Sequence, residues 1–495
     1  MEKKNKQKIL IIIFTVIVLI AAALSTMNKN MQNDTFYYIK VGEIIEKYGI
    51  DMKDHFSFIP NLRYTYPHWL FDLSVFKIYS HFGFDGLFIG SIMISILLSF
   101  TMFLSIKKVT NNNYGIALII TLFTFSTLKP FMTVRAQIVS YLLLLLISYF
   151  LEMLRKNGNK RYIVFIAILA ILLASTHSAV YPVVFLLFLP IFASDFLSKI
   201  FKNIDSNINL VIEKPTNTKK ILLAFLVCII CGFLSPGLNT YLYSILIMLG
   251  NSTSYIPEHF PTTILNNPFI IIYLAIIIGI LLIKKVKINM RDFFTIGGFF
   301  LLALFSIRNY SLFIILTVFA FGRIFSSIEK EYIKQVSITK AFNYRFVRII
   351  FIVLFLSKAF MVSMDEIKIG YIDNSYMPIY PVEMVKYIKS NLDYKNMRMF
   401  NESDYGSYLL FNDLKVFIDT RSDLYMKEFN KGITAYDDAM ALPKDYKKFL
   451  GKYDFTHLLI SKRSNFNYIV ELLPNYNLLR EDEYFYLYEK VNNTN

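Results

Sequence analysis

The sequence predicts an α-helical polytopic membrane protein that ends in a small C-terminal α/β domain. The 495-residue chain is 55% hydrophobic and has a mean hydropathy of +0.47. That is more apolar surface than a soluble domain can bury, whereas a membrane protein exposes it to lipid. Beyond residue 363 the charged side chains return and the apolar runs become short, which marks a second domain.

Apolar stretches of membrane-spanning length recur through the first domain. A helix needs about 20 apolar residues to cross the hydrocarbon core. Eleven stretches qualify as predicted spans: 9–26, 85–106, 114–131, 137–154, 161–178, 180–198, 219–236, 268–284, 293–307, 309–326 and 345–363. The first follows the basic segment MEKKNKQK and resembles a signal peptide, but because further spans follow we interpret it as an uncleaved helix.

The distribution of charge predicts the orientation. A net charge of +16 suggests nucleic acid in a soluble protein, but here the basic residues lie between apolar stretches, so membrane lipids rather than nucleic acid are the expected contacts. Alternate connections are rich in Lys and Arg, and the positive-inside rule places them in the cytoplasm. The prediction is a multi-pass cell-membrane protein with a cytoplasmic N-terminus and an extracytoplasmic C-terminal domain.

These observations predict two domains, a transmembrane domain over 1–363 and an α/β domain over 364–495. The external loop 28–84 of the first domain is patterned rather than irregular. Apolar residues at helical spacing predict a helix over 35–48, with Asp34 at the N-cap and Gly49 at the stop. A second amphipathic helix is predicted over Trp69–Ser80, and both are expected to lie at the membrane surface.

The C-terminal domain is predicted to combine short strands with short helices. The expected strands are 397–400, 408–411, 416–418, 457–460 and 484–488, and the expected helices are 381–392, 443–451 and 466–473. Asp419, Arg421 and Asp423 follow one of these strands, and a charge-paired turn is favoured there over a binding site.

Asp34 is the first candidate for chemistry. Aspartate is ionised at neutral pH in water, so Asp34 could remove a proton from an acceptor hydroxyl as a general base. The alternative is that it only caps the following helix. The residues alone leave both roles open.

Arg135 and Arg308 lie at external ends of predicted spans. Arginine near the bilayer core is costly and usually has a partner, and a guanidinium matches the oxygens of a lipid phosphate. The alternative is that each side chain extends to the interface without a specific role.

His68, His177 and Glu258 are further polar residues at external ends of spans, where they could line the mouth of a cavity and bind substrate. Their spacing matches no local metal motif, and a structural role for each is the alternative. A divalent metal therefore stays an open question.

Several motifs are absent from the sequence. It has no P-loop, no G-x-G-x-x-G, no G-x-S-x-G and no Asp-x-Asp pair of the kind that holds a metal on a nucleotide-sugar. Nucleotide-sugars are cytoplasmic, so a sugar donor on the external side would have to be carried by a lipid.

The order of short motifs resembles a known architecture. The first loop carries Asp34, then Gly42, then DHFS and HWL, and Arg135, His177, Glu258 and Arg308 follow along the chain. This layout resembles the GT-C fold of membrane glycosyltransferases such as protein O-mannosyltransferases and aminoarabinose transferases, and it is most similar to a broad group of bacterial membrane proteins related to them.

The resemblance implies a GT-C-like helical bundle, a polyprenyl-phosphate-linked sugar as donor, a glycan, lipid or protein as acceptor, and Asp34 as the catalytic base. Where mannosyltransferases have His-Pro-Pro, this chain has Pro67-His68-Trp69, which puts mannosyl specificity in doubt. A transporter or flippase of lipid-linked glycans, or a non-catalytic scaffold, is the alternative, although few charges lie deep within the spans.

Overall fold

A computed structural model describes residues 2–200, 210–213, 215–236, 239–249, 257–283, 286–332, 338–372, 374, 379–441 and 446–491. The chain forms two compact units. Unit 1 comprises Met1–Lys29, Phe88–Tyr241 and Ile256–Lys368, and unit 2 comprises Asn30–Leu87, Leu242–Tyr255 and Ile369–Asn495.

In the described part of unit 1, the regular secondary structure is helical apart from one short pair of parallel strands, β1 (Leu210–Val211) and β2 (Ile288–Asn289). Its helices are α1 (Glu2–Leu24), the second part of α3 (Trp69–Val109), α4 (Tyr114–Leu128), α5 (Ala136–Asn157), α6 (Arg161–Thr176), α7 (Val183–Ile200), α8 (Thr218–Gly232), the start of α9 (Asn239–Leu249), α10 (Phe269–Leu282), α11 (Met290–Phe305), α12 (Ile307–Leu316), α13 (Val318–Tyr332), α14 (Ile338–Ala341) and α15 (Arg345–Lys368).

Six of the described helices are long and apolar enough to cross a membrane. The number of candidate spans rises to seven if the bent pair α12 and α13 forms one span. A multi-pass membrane protein is therefore supported. Helices occur at all eleven predicted spans, but several of them, such as α6 with 16 residues and α10 with 14, are short. The number eleven stays a prediction.

A buried ionic network joins three helices of unit 1. Arg291 and Asp292 begin α11, Glu152 lies on α5 and Arg323 on α13. Oε2 of Glu152 accepts a hydrogen bond from Nη1 of Arg291 at 3.0 Å and lies 3.2 Å from Nη1 of Arg323. Nη2 of Arg323 lies 2.5 Å from Oδ1 of Asp292. Each buried cation thus has carboxylate partners, as burial requires.

Unit 2 contains α2 (Asn33–Tyr48), the first part of α3, the end of α9 and a four-stranded sheet with its helices. The strands β3 (Met399–Phe400), β4 (His457–Ser461), β5 (Tyr476–Glu481) and β6 (Phe485–Lys490) lie in the order β3-β4-β6-β5, and only the β3–β4 pair is parallel. The helices are α16 (Val382–Asn391), α17 (Ser403–Phe411), α18 (Ala435–Met440), α19 (Tyr446–Tyr453) and α20 (Asn467–Val470).

The helices predicted in the first loop are present, and their position at the membrane surface stays a prediction. The predicted helix 35–48 is α2, and Gly49 ends it with φ +74° and an N–H bond to the carbonyl of Ile45. The N-cap prediction is wrong: Gln32 has the extended cap backbone, and Asp34 is already the second helical residue. The predicted second helix is the first part of α3 and the next span is its second part, and a non-helical kink at Gly83 (φ +61°) separates the two.

Several C-terminal element predictions are wrong. Residues 408–411 belong to helix α17, and Val416 forms only an isolated bridge with Ser57. Strand β5 was not predicted, because its exposed charged residues weaken the alternation that marks a strand. The predicted helix 443–451 corresponds to α19, although residues 442–445 lie outside the described part.

Candidate functional site

The structure divides the predicted site residues between the two units. Arg135, His177, Glu258 and Arg308 lie in unit 1, whereas Asp34 and His68 lie in unit 2. The four residues of unit 1 come together at the start of α5, the end of α6, the turn 257–259 and the start of α12.

A chain of hydrogen bonds holds Arg308. Its Nη2 atom donates to Nε2 of His177 at 3.1 Å, and Nδ1 of the same ring lies 2.8 Å from Oγ of Ser140. Ser140 donates onward to the carbonyl of Ala136 at 2.9 Å. Because the arginine can only donate and the serine hydrogen is already used, His177 is a neutral imidazole that carries its proton on Nδ1.

The backbone at Arg308 is held as well. Its carbonyl accepts a hydrogen bond from Oγ of Ser311 at 2.9 Å, and the same Oγ accepts a hydrogen bond from the hydroxyl of Tyr141 at 2.8 Å. Ser140, Tyr141 and Ser311 were not among the predicted site residues, because hydroxyls inside apolar helices carry no sequence signal of their own. Ser140 orients the Arg308 guanidinium through His177, whereas Ser311 and Tyr141 hold the backbone of Arg308.

Arg135 is paired with Glu258. Its Nη1 atom lies 2.5 Å from Oε1 of Glu258, and the two side chains are 15% and 43% exposed. Burial raises the pKa of Glu258, but Arg135 and then Arg308 and His259 lower it more, so the net shift is downward. Glu258 is therefore an ionised carboxylate among cations.

The cluster favours anions. Burial, followed by the charge of Arg308, lowers the pKa of His259, so this histidine is neutral at pH 7. With both histidines neutral, two guanidinium groups face one carboxylate, and a positive charge remains. Fixed guanidinium donors with an excess positive charge are suited to a phosphate group.

Asp34 lies on the first turn of α2, and its neighbour Asn33 holds that turn in place. The Asn33 amide donates to the carbonyl of Ser403 at 2.9 Å and accepts the N–H of Tyr408 at 3.1 Å. These bonds clamp α2 to α17 within unit 2, and the side chain of Asp34 is half-buried beside the clamp. The first turn of a helix also stabilises a carboxylate electrostatically.

Aromatic residues surround this turn. The ring of Tyr38 packs edge-on against the buried ring of His68, with 5.7 Å between the ring centres, and lies tilted against the ring of Tyr37 at 4.3 Å. Burial, then Tyr38 and Asp34, raise the pKa of Tyr37 well above its ordinary value. The phenol therefore stays protonated.

Within the described ranges, no group of three or more His, Cys, Asp or Glu side chains could hold a metal ion. No step of the chemistry proposed below passes through a metal.

No protein-family model and no curated protein sequence matches this chain. Solved structures do. The oligosaccharyltransferase of Archaeoglobus fulgidus in its apo form is similar with a TM-score of 0.59 and 12% identity, covering 90% of this chain and 69% of the other. The same protein tethered to an acceptor peptide matches with a TM-score of 0.55 at 11% identity, over 90% and 69% of the two chains.

A third structure, of that oligosaccharyltransferase in complex with zinc and sulfate, matches with a TM-score of 0.52 at 11% identity, covering 90% of this chain and 67% of that one. The likeness extends over nearly the whole described chain and concerns the fold rather than the sequence. The predicted resemblance is confirmed at that level: the chain has the GT-C fold of an oligosaccharyltransferase.

Proposed function

We propose that this protein is an integral membrane glycosyltransferase that moves a sugar from a polyprenyl-phosphate donor to a hydroxyl of an extracytoplasmic glycan, lipid or protein. The observation that carries the proposal is the cluster of Arg135 and Arg308, whose guanidinium groups are suited to an anion. The chain that holds this cluster has the fold of an oligosaccharyltransferase. Absent nucleotide-binding motifs favour a lipid-borne donor.

In the proposed reaction, Asp34 removes the proton of the acceptor hydroxyl. The acceptor oxygen then bonds to the anomeric carbon of the sugar, and the bond from that carbon to the phosphate oxygen breaks. The electron pair stays on the phosphate, whose charge Arg135 and Arg308 stabilise. His177 orients Arg308, and His68 and Glu258 are assigned to substrate contacts.

The proposal includes a topology. The N-terminus is cytoplasmic, eleven segments cross the membrane, and both the loop 28–84 and the domain 364–495 are extracytoplasmic. Helices at all eleven predicted stretches support this arrangement, because a short hydrophobic helix can cross where the bilayer thins locally or where flanking side chains extend to the interface. The concentration of Lys and Arg in alternate connections supports the orientation.

The test replaces Asp34 by Asn in the full-length protein, reconstituted in nanodiscs with a polyprenyl-phosphate sugar. We expect transfer, and the slower hydrolysis of the donor by water, to fall by about 10²–10⁴-fold, the usual contribution of a general base. Glu43→Gln is the matched control, since Glu43 lies on the same helix, is 44% exposed and should be dispensable. Near-normal transfer by the Asp34 variant would contradict the role.

One observation favours the transporter alternative. Helices α12 and α13 meet at a bend of 50° around Thr317, at the end of α12 opposite to Arg308, and α7 contains Pro190. Broken helices near an ion site are typical of transporters. A liposome assay separates the two functions: movement of the lipid-linked sugar across the bilayer without cleavage of its phosphate bond supports a flippase, and cleavage supports the transferase.

A further inference from the structure

We propose that Glu258 is a built-in competitor of the phosphate: its carboxylate occupies the guanidinium of Arg135 until a phosphate group takes its place. The inference rests on the proposed function, because it assumes that Arg135 and Arg308 bind the phosphate of the donor. It gives Glu258, proposed above as a substrate contact, a second role as the group that leaves Nη1 of Arg135 when the phosphate binds there.

The first argument is geometric. Nη1 of Arg135 lies 2.5 Å from Oε1 of Glu258. A guanidinium presents the same donors to a carboxylate and to a phosphate, so one nitrogen cannot serve both anions at full strength. A phosphate that binds Arg135 through Nη1 must therefore displace the carboxylate from that nitrogen.

The second argument concerns solvent. The side chain of Arg135 is only 15% exposed, whereas that of Glu258 is 43% exposed. Water competes for a half-exposed carboxylate, so the ion pair contributes little and its loss is tolerable. Glu258 can leave towards solvent while the arginine stays in the site.

The third argument is that only a side chain has to move. The backbone carbonyl of Glu258 accepts a hydrogen bond from Oγ of Ser306 at 2.8 Å, and the carbonyl of Phe260 accepts one from the N–H of Ile307 at 3.0 Å. These bonds attach the turn to the start of α12. A change of rotamer at Glu258 frees Arg135 without releasing the turn.

Charge matching favours the exchange. With Glu258 in place, its carboxylate neutralises one of the two guanidinium groups. The charge of the other guanidinium group remains, because His177 and His259 are neutral and add none. Once Glu258 has left, both arginines face the phosphate, which carries one negative charge as the diester of the donor and between one and two as the monoester that remains after transfer. The displaced state thus suits the monoester better than the paired state does.

The experiment measures binding of undecaprenyl phosphate to the full-length protein in nanodiscs of zwitterionic lipid. Glu258→Gln should tighten binding about fivefold, which corresponds to the roughly 1 kcal/mol of a partly exposed ion pair. Glu258→Asp, which keeps the charge, should stay close to wild type. Arg135→Gln should weaken binding, and adding Glu258→Gln to it should give no further gain.

Inorganic phosphate serves as a second probe. A gain in affinity for both probes means that the phosphate alone displaces Glu258, and a gain for the lipid alone means that displacement needs the lipid form; either result supports the inference. Unchanged or weaker binding by Glu258→Gln, with Arg135→Gln still weakened, overturns the inference and leaves the phosphate site intact. If neither Arg135→Gln nor Arg308→Gln weakens binding, the phosphate site itself is wrong and the inference fails with it.

Discussion

Arg421 and Asp54, separated by 367 residues of chain, form a buried ion pair inside unit 2. Nη1 of the arginine lies 2.7 Å from Oδ1 of the aspartate, and the two side chains are 1% and 2% exposed. Arg421 also binds Asp419 at 2.6 Å and lies over the rings of Tyr64 and Phe56 at 4.9 and 5.1 Å. The predicted charge-paired turn is thus confirmed and extended, because it ties the first loop to the C-terminal segment.

Replacing Arg421 by Gln should destabilise the protein strongly. The carboxylates of Asp54 and Asp419 would remain buried without their cation, and breaking a buried ion pair in this way costs about 3–5 kcal/mol. The measurement is the unfolding midpoint of the purified full-length protein in detergent, followed together with protease resistance of the loop 49–68.

The matched control is Lys386→Gln. Lys386 pairs with Glu383 at 2.7 Å, but the two side chains are 68% and 62% exposed, so its loss should leave the midpoint unchanged within error. Equal midpoints for the Arg421 and Lys386 variants would show that the buried pair does not hold the two segments together.

The stability of the protein should depend on pH through Asp423. Burial raises the pKa of Asp423 to about 6 from its ordinary 3.8, although Arg421 opposes the shift. The folded state therefore binds the proton more tightly than the unfolded chain, and stability decreases as the pH rises from about 4 to about 6. A shift of about two pKa units corresponds to roughly 3 kcal/mol.

Asp423→Asn should remove this loss, because the amide cannot ionise. Urea unfolding of wild type and variant at pH 4, 5, 6 and 7 checks the prediction. The free energy of unfolding of the variant should rise relative to that of wild type with increasing pH, and the difference should level off above about pH 6. A constant difference over this range would exclude Asp423 as its source.

Gly42→Ala should destabilise α2 although alanine favours helices. A Cβ atom at Gly42 would collide with the carbonyl oxygen of Asp72 and with Cβ of Phe76 on α3, and a backbone atom cannot easily yield. Such overpacking typically costs about 1–3 kcal/mol, more than the helix preference of up to about 1 kcal/mol returns.

Gly90→Ala is the control for this substitution. Gly90 also lies inside a helix, α3, but a Cβ atom there would meet nothing within 4 Å. Thermal unfolding should therefore show a lower midpoint for Gly42→Ala and an equal or higher midpoint for Gly90→Ala. The opposite order would mean that the crossing of α2 and α3 at Gly42 is looser than described.

The sequence by itself determined the membrane class, the position of most helices and the identity of the polar residues worth testing, because hydropathy and helical spacing are local properties. Only the tertiary structure decided which of those residues meet. It paired Arg135 with Glu258 and Arg308 with His177, and it moved Asp34 from the cap of α2 into its first turn. It also paired Asp54 with Arg421, far apart in the chain. Such pairings depend on how helices and strands pack over long separations, and no local pattern of residue types records that packing.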